Sequence, residues 1–133
     1  MTGDPESREA NKREPLKLFD NVYYVGLHNV ATYLVTTSAG LVLLDASYAD
    51  SADYVLDNVR KLGLNPADIK YVFVSHAHGD HSGGAARIQA VTKARVGLSA
   101  EDWAVLERGQ GNTLKRDLVI KDGETIVVGD NRF

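Results

Sequence analysis

The apolar run Tyr71-Val72-Phe73-Val74 passes through Ser75 straight into His76-Ala77-His78-Gly79-Asp80-His81, and Ser82-Gly83-Gly84 then opens a stretch of helical texture. No other feature of the chain constrains its fold so tightly. A strand of β-branched and aromatic residues without polar alternation is buried on both faces, which places it inside a covered sheet. The loop between the carboxyl end of such a strand and the next helix is where α/β folds gather ligand-binding groups. Three of the chain's four histidines stand in that loop beside an aspartate.

The spacing has a chemical logic. In extended backbone, positions i and i+2 face the same way, so His76 and His78 converge on one ion. Asp80 and His81 are expected to point away from that pair as the chain turns into the helix, and to serve a second ion about 3.5–4 Å from the first. The absence of cysteine excludes disulfides, thiolate catalysis and cysteine-based zinc or iron–sulfur sites. A metal must therefore be held by imidazole and carboxylate, a donor set that suits Zn²⁺, with Fe or Mn as alternatives. Small residues at Ala77, Gly79, Gly83 and Gly84 let backbone and substrate approach closely. Asp45, which ends the apolar run Leu41-Val42-Leu43-Leu44, is placed to orient the loop from behind as an acceptor, with Ser75 and Gly83 as the other supporting residues. The plainer alternative is a histidine-rich surface loop, which a chain with only one other histidine makes the weaker reading.

The rest of the chain reads as mixed α/β. Strands are expected at Val22–Val25, Ala31–Thr36, Leu41–Asp45, Tyr71–Ser75 and Ala94–Leu98. Ala52, Val55, Leu56, Val59 and Leu62 draw one apolar stripe down a helix, with Asp50 or Ser51 as its cap and Gly63 as its terminator. Asn65-Pro66 opens a short helical turn, Ser99 caps a helix carrying Trp103 and Leu106, and 108–115 is a loop. Leu118-Val119-Ile120 and Thr125–Val128 are expected to pair as a hairpin across Lys121–Glu124. His28, in the turn Leu27-His28-Asn29, is either a rim residue of the metal pocket or a solvated turn histidine, and Gln110 and Asn112 are further rim candidates.

Composition narrows the function class. The 133 residues correspond to one domain, 16–133, behind a polar leader, 1–15, expected to be disordered. A net charge of −3 provides no broad basic surface for nucleic acid. No run reaches the ~18 apolar residues that would span a membrane. The leader lacks the apolar stretch of a secretory signal, so the expected compartment is cytoplasmic, or periplasmic or secreted if a signal has been removed.

The segment Ser75-His76-Ala77-His78-Gly79-Asp80-His81-Ser82-Gly83-Gly84, behind the strand that ends in Asp45, resembles the HxHxDH loop of the metallo-β-lactamase superfamily. The text from Leu18–Gly26 to Ala100-Glu101-Asp102-Trp103 most resembles class B lactamases of the third subclass, and the likeness runs from about Leu16 to Gly129. The resemblance implies the N-terminal half of an αββα sandwich, a mixed sheet flanked by helices, with a two-zinc centre at one edge. It implies that His76 and His78 bind the first zinc and Asp80 and His81 the second. It implies too that a metal-bound hydroxide, oriented by Asp80 as the catalytic residue, opens a β-lactam ring in a small-molecule substrate. Lactone or thioester hydrolysis on the same fold, or a non-catalytic metal-binding half-domain, are the alternatives. The family's later ligands have no counterpart here, since no histidine follows His81. Four side chains over two ions give two each, whereas a catalytic zinc has about three protein ligands. The expectation is therefore an N-terminal fragment, or a chain completed by a homodimer or by a complementing C-terminal half.

Overall fold

The structure, a computed structural model, describes residues 5–133. Its centre is a seven-stranded sheet whose strands lie in chain order: β1 (Leu16–Phe19), β2 (Val22–Tyr24), β3 (Tyr33–Thr37), β4 (Gly40–Leu44), β5 (Ile69–Phe73), β6 (Arg95–Leu98) and β7 (Leu118–Val119). The first four form an antiparallel meander joined by short turns. From β4 onward the pairing is parallel, and each crossover carries helix: α2 (Ala52–Lys61), then α3 (Gly79–Ser82) with α4 (Ala85–Thr92), then α5 (Ala100–Arg108). Parallel neighbours need such crossovers, because a two-residue turn cannot return the chain to the same end of the sheet.

The apolar patterns dictate the layers. The stripe Ala52, Val55, Leu56 and Val59 of α2 is fully buried and packs with Ile88, Trp103 and the sheet residues Leu34, Leu43, Val72 and Val96. All of α2, α4 and α5 thus contribute to one core on one face of the sheet. On the opposite face Val35 and Val42 pack under Val128, while Leu44, Tyr71, Phe73, Ile126 and Phe133 are half-buried. Among the described residues, that face is covered only by the short antiparallel pair β8 (Val127–Val128) and β9 (Asn131–Arg132) with the residues flanking it. The result is a mixed sheet with one complete helical layer, half of the expected sandwich.

Two local expectations change. The hairpin across residues 121–124 does not form. The turn is present, with the Glu124 amide on the Lys121 carbonyl at 3.0 Å, but Leu118 pairs in parallel with Gly97 and the Ile120 amide donates to Leu98 O at 2.9 Å. The open edge of β6 takes those backbone groups, and Val127–Val128 turn back through Gly129, at φ 58°, onto 131–132. The entry to α2 uses a 3₁₀ turn, Ala49–Ser51, rather than a side-chain cap.

Part of the leader makes contacts with the rest of the chain. Pro5–Ala10 forms α1, Arg8 stacks on the Tyr48 ring at 3.7 Å and pairs with Asp50 at 2.7 Å, and the Asn11 carbonyl accepts from the His28 amide. Short-range polarity concealed these contacts because their partners, Tyr48, Asp50 and His28, lie well downstream. Residues 1–4 lie outside the described part. Among the described residues no helix is long and apolar enough to cross a membrane.

Candidate metal centre

Strand β5 ends at Phe73, and the chain leaves the sheet edge through Val74 and Ser75 before α3 begins at Gly79, with His78 at its N-cap. Because the helical turn starts so early, residue 81 comes back over residue 76. The His76 and His81 rings lie 4.2 Å apart between centroids, and His76 and His78 lie 4.8 Å apart, nearly perpendicular. His81 therefore does not turn away from His76, contrary to the spacing argument. A ligand atom from each of His76, Asp80 and His81 falls within 4.8 Å of the others, and all three residues are partly buried. His78 is exposed and stands beside this group, its ring against His76.

Behind the group sits Asp45, at φ 70°. A left-handed non-glycine residue costs about 1–2 kcal/mol and persists only where its surroundings fix it. Here they do so through three bonds: the Asp45 carboxylate accepts from the Ser75 amide at 2.6 Å, the Ser75 hydroxyl at 2.9 Å and His81 Nδ1 at 2.8 Å. A carboxylate can only accept, so Nδ1 of His81 carries a proton, and in the neutral imidazole that leaves the Nε2 lone pair for an ion. The same logic passes through Ser75. Its hydroxyl donates to Asp45 and lies 2.9 Å from His76 Nδ1, so it accepts from that nitrogen and leaves Nε2 of His76 bare as well. One carboxylate thus sets the tautomer of two imidazoles.

The free atoms have the right separation for a shared ion. His81 Nε2 and Asp80 Oδ2 are 3.7 Å apart, too long for a hydrogen bond. Two ligands at about 2.0–2.1 Å on a tetrahedral zinc stand roughly 3.4 Å from each other. Among the described residues the Asp80 carboxylate has no hydrogen-bond partner, and neither does the His78 ring. Imidazole and carboxylate donors that face one another, with both imidazoles held at Nδ1, fit a divalent cation.

The family model for the metallo-beta-lactamase superfamily matches residues 25–132. The chain belongs to that superfamily. Its structure is similar to BJP-1, a subclass B3 metallo-beta-lactamase of Bradyrhizobium japonicum, with a TM-score of 0.86 and 34% identity over 96% of this chain and 52% of that one. Flavo-diiron protein FprA2 of Clostridium acetobutylicum is 23% identical over 88% of this chain and 33% of its own length. N-acyl homoserine lactonase AttM of Agrobacterium fabrum is 46% identical over 37 residues, 28% of this chain and 14% of its own. The chain thus spans about half of the subclass B3 structure it matches and a smaller share of these two relatives.

In this metallo-beta-lactamase superfamily domain the glycine pair packs the loop onto its support. A Cβ on Gly83 would stand 2.7 Å from Ala49 N, and one on Gly84 would stand 2.2 Å from Ala46 O, while the Ala46 amide donates to His81 O at 2.8 Å. The rim candidates separate. His28 is exposed in the β2–β3 turn and lies outside the metal group. Gln110 and Asn112 line a cleft of about 560 Å³ whose other wall is Ala77, Gly79, Ser82 and Gly83. The Asn112 side chain is engaged locally, with both amide atoms on the backbone of Leu114. Trp103 is fully buried and donates from Nε1 to Leu118 O at 2.7 Å, so it belongs to the core. Sequence reasoning missed two residues that hold the loop: Ser82, whose hydroxyl donates to Ala77 O at 2.8 Å, and Asp102, which accepts from the Ala77 amide at 3.1 Å. Ser82 could have been flagged by its place within the first turn after the histidines, whereas the spacing Ser99-x-x-Asp102 marks only a helix cap and nothing local links Asp102 to the loop.

Proposed function

We propose that this chain carries the metal-binding portion of a zinc-dependent hydrolase that opens β-lactam rings. The observation that carries the reading is the pair of bare donors, His81 Nε2 and Asp80 Oδ2 at 3.7 Å, with the far side of His81 anchored on Asp45. His76, Asp80 and His81, with His78 alongside, are the residues that would hold zinc. When bound, zinc supplies Lewis-acid polarisation of a carbonyl and acidification of water, the chemistry that cleavage of a strained amide needs.

The chain's own residues supply the rest. Asp45 and Ser75 engage the Nδ1 atoms of His81 and His76 and so leave their Nε2 atoms to face an ion. Asp80 keeps lone pairs with which to accept a hydrogen bond from an attacking water and so orient it. The cleft walled by Ala77, Gly83 and the 109–114 loop gives a small substrate a place beside the centre. Three or four ligands from this chain suffice for one ion, and a second ion at full coordination draws on ligands from a second copy or a complementing segment.

Zinc stoichiometry by elemental analysis, combined with nitrocefin hydrolysis, tests this. Turnover that a chelator abolishes and zinc restores supports the hydrolase, and Asp80→Ala is expected to remove turnover while the chain stays folded. Turnover that survives chelation, or that survives Asp80→Ala, overturns it. Tight zinc binding without turnover of any ring substrate supports instead a metal-binding module acting through an interface. The 46% identity to the lactonase AttM favours a second reading, hydrolysis of a lactone on the same centre. Faster turnover of an N-acyl homoserine lactone than of nitrocefin selects it.

A further inference from the structure

Ala77 lies between His76 and His78, and both of its backbone polar groups are held. Its carbonyl accepts from the buried hydroxyl of Ser82 at 2.8 Å, a bond internal to the loop. Its amide donates to Asp102 Oδ1 at 3.1 Å, a bond that comes from outside the loop. Asp102 is the third residue of α5, whose N-cap is Ser99, and the Ser99 hydroxyl accepts from the Asp102 amide at 3.1 Å and donates to Asp102 Oδ2 at 2.8 Å. In an ordinary capping box the acidic side chain at this position returns to the amide of its own N-cap residue. Here one carboxylate oxygen stays on the cap hydroxyl and the other reaches across to the metal loop. An amide fixed in direction fixes the peptide plane between His76 and Ala77, and with the carbonyl also held, the backbone from which both His76 and His78 project has little freedom left.

We infer that Asp102 is a positioning residue of the metal centre: its carboxylate presets the backbone of Ala77, and through it the directions of His76 and His78, before an ion binds. The inference rests on the metal-centre reading above and adds to it a residue from a separate helix. Asp102 touches neither ion nor substrate, so its effect is on affinity and coordination geometry.

The test uses Co²⁺ as probe, with affinity measured by competition against a chromophoric chelator and geometry read from the visible d–d bands. Asp102→Ala is expected to weaken Co²⁺ binding about tenfold or more, the lower end of what loss of a supporting hydrogen bond costs a metal site, and to alter the band pattern. Asp102→Asn keeps an acceptor for the Ala77 amide and is expected to bind within a few-fold of the parent chain. Ser99→Ala removes the cap but leaves the Ala77 bond, so it is expected to lower the melting temperature with little change in affinity. Asp102→Ala binding Co²⁺ as the parent does, or Asp102→Asn binding as poorly as Asp102→Ala, overturns the inference. If Asp102→Ala does not fold, amide exchange in the unsubstituted metal-free chain decides: a protected Ala77 N–H supports the pin, and one exchanging at the rate of an open loop refutes it. A parent chain that takes up no Co²⁺ removes the metal-centre reading and this inference together. A parent chain that binds Co²⁺ but hydrolyses nothing removes only the hydrolase.

Discussion

Replacing Asp45 with Asn keeps the size and shape of the side chain but changes what it can give. Asn tolerates the left-handed backbone at φ 70° as Asp does, and its carbonyl oxygen still accepts from the Ser75 amide. The other end becomes an NH₂ group facing His81 Nδ1 and Ser75 Oγ, where the carboxylate oxygen stood at 2.8 and 2.9 Å. A donor facing Nδ1 forces that nitrogen to accept, which moves the His81 proton to Nε2 and removes the lone pair meant for the ion. Ser75 is reversed by the same step: it now accepts from Asn, donates to His76 Nδ1, and drives the His76 proton to Nε2 as well. Loss of one supporting partner weakens a metal site about 10–100-fold, so two ligands compromised together predict at least ~100-fold, or about 2.7 kcal/mol. The fold is expected to lose only about 1 kcal/mol, since one charge-assisted set of bonds becomes neutral. Zinc affinity by chelator competition reads the first effect, and ¹⁵N NMR of the imidazoles reads the tautomers. An Asp45→Asn chain that binds zinc as the parent does, or that keeps its His81 proton on Nδ1, refutes the reasoning.

Two further outcomes bear on the scaffold. Gly84→Ala is expected to destabilise by about 1–3 kcal/mol in urea titration, because its Cβ would stand 2.2 Å from the Ala46 carbonyl, whereas Gly79→Ala, with open space around its Cβ, is expected to be neutral or slightly stabilising; equal midpoints would contradict the packing argument. Burial raises the Tyr24 phenol above its ordinary value near 10, with the neighbouring Tyr33 adding to the rise and Arg13 opposing it. As the pH climbs past 10 the unfolded chain releases this proton first and binds fewer protons than the folded one, so stability falls. Tyr24→Phe is expected to flatten that fall between about pH 9 and 11, and an unchanged slope in denaturation across that range would count against it.

The parts of this protein decided by local pattern were legible in its sequence. The apolar runs at 41–44 and 71–74 are central strands because a run without polar alternation has to be covered on both faces. The 52–62 stripe makes α2, and Gly63 at φ 80° ends it, because one apolar face and one left-handed residue are enough to specify a helix and its stop. The position of the His76–His81 loop at the strand end followed from the same reading.

What involved partners far apart in the chain was not legible. Leu118-Val119 look like half of a hairpin, yet the open edge of β6 outcompetes the nearby turn for their backbone groups. Arg8 and Asn11 look like parts of a solvated leader, yet Tyr48, Asp50 and the His28 amide hold them. The i, i+2 rule grouped His76 with His78, whose rings are indeed neighbours, but the early start of α3 brings His81 against His76 as well.

The identity of the donors was thus written in the chain, since imidazole and carboxylate declare their chemistry wherever they stand. Which nitrogen each imidazole offers was decided only by folding. That depends on Asp45 arriving from the end of an earlier strand, and a hydrogen bond between residues 36 positions apart leaves no local trace in a sequence.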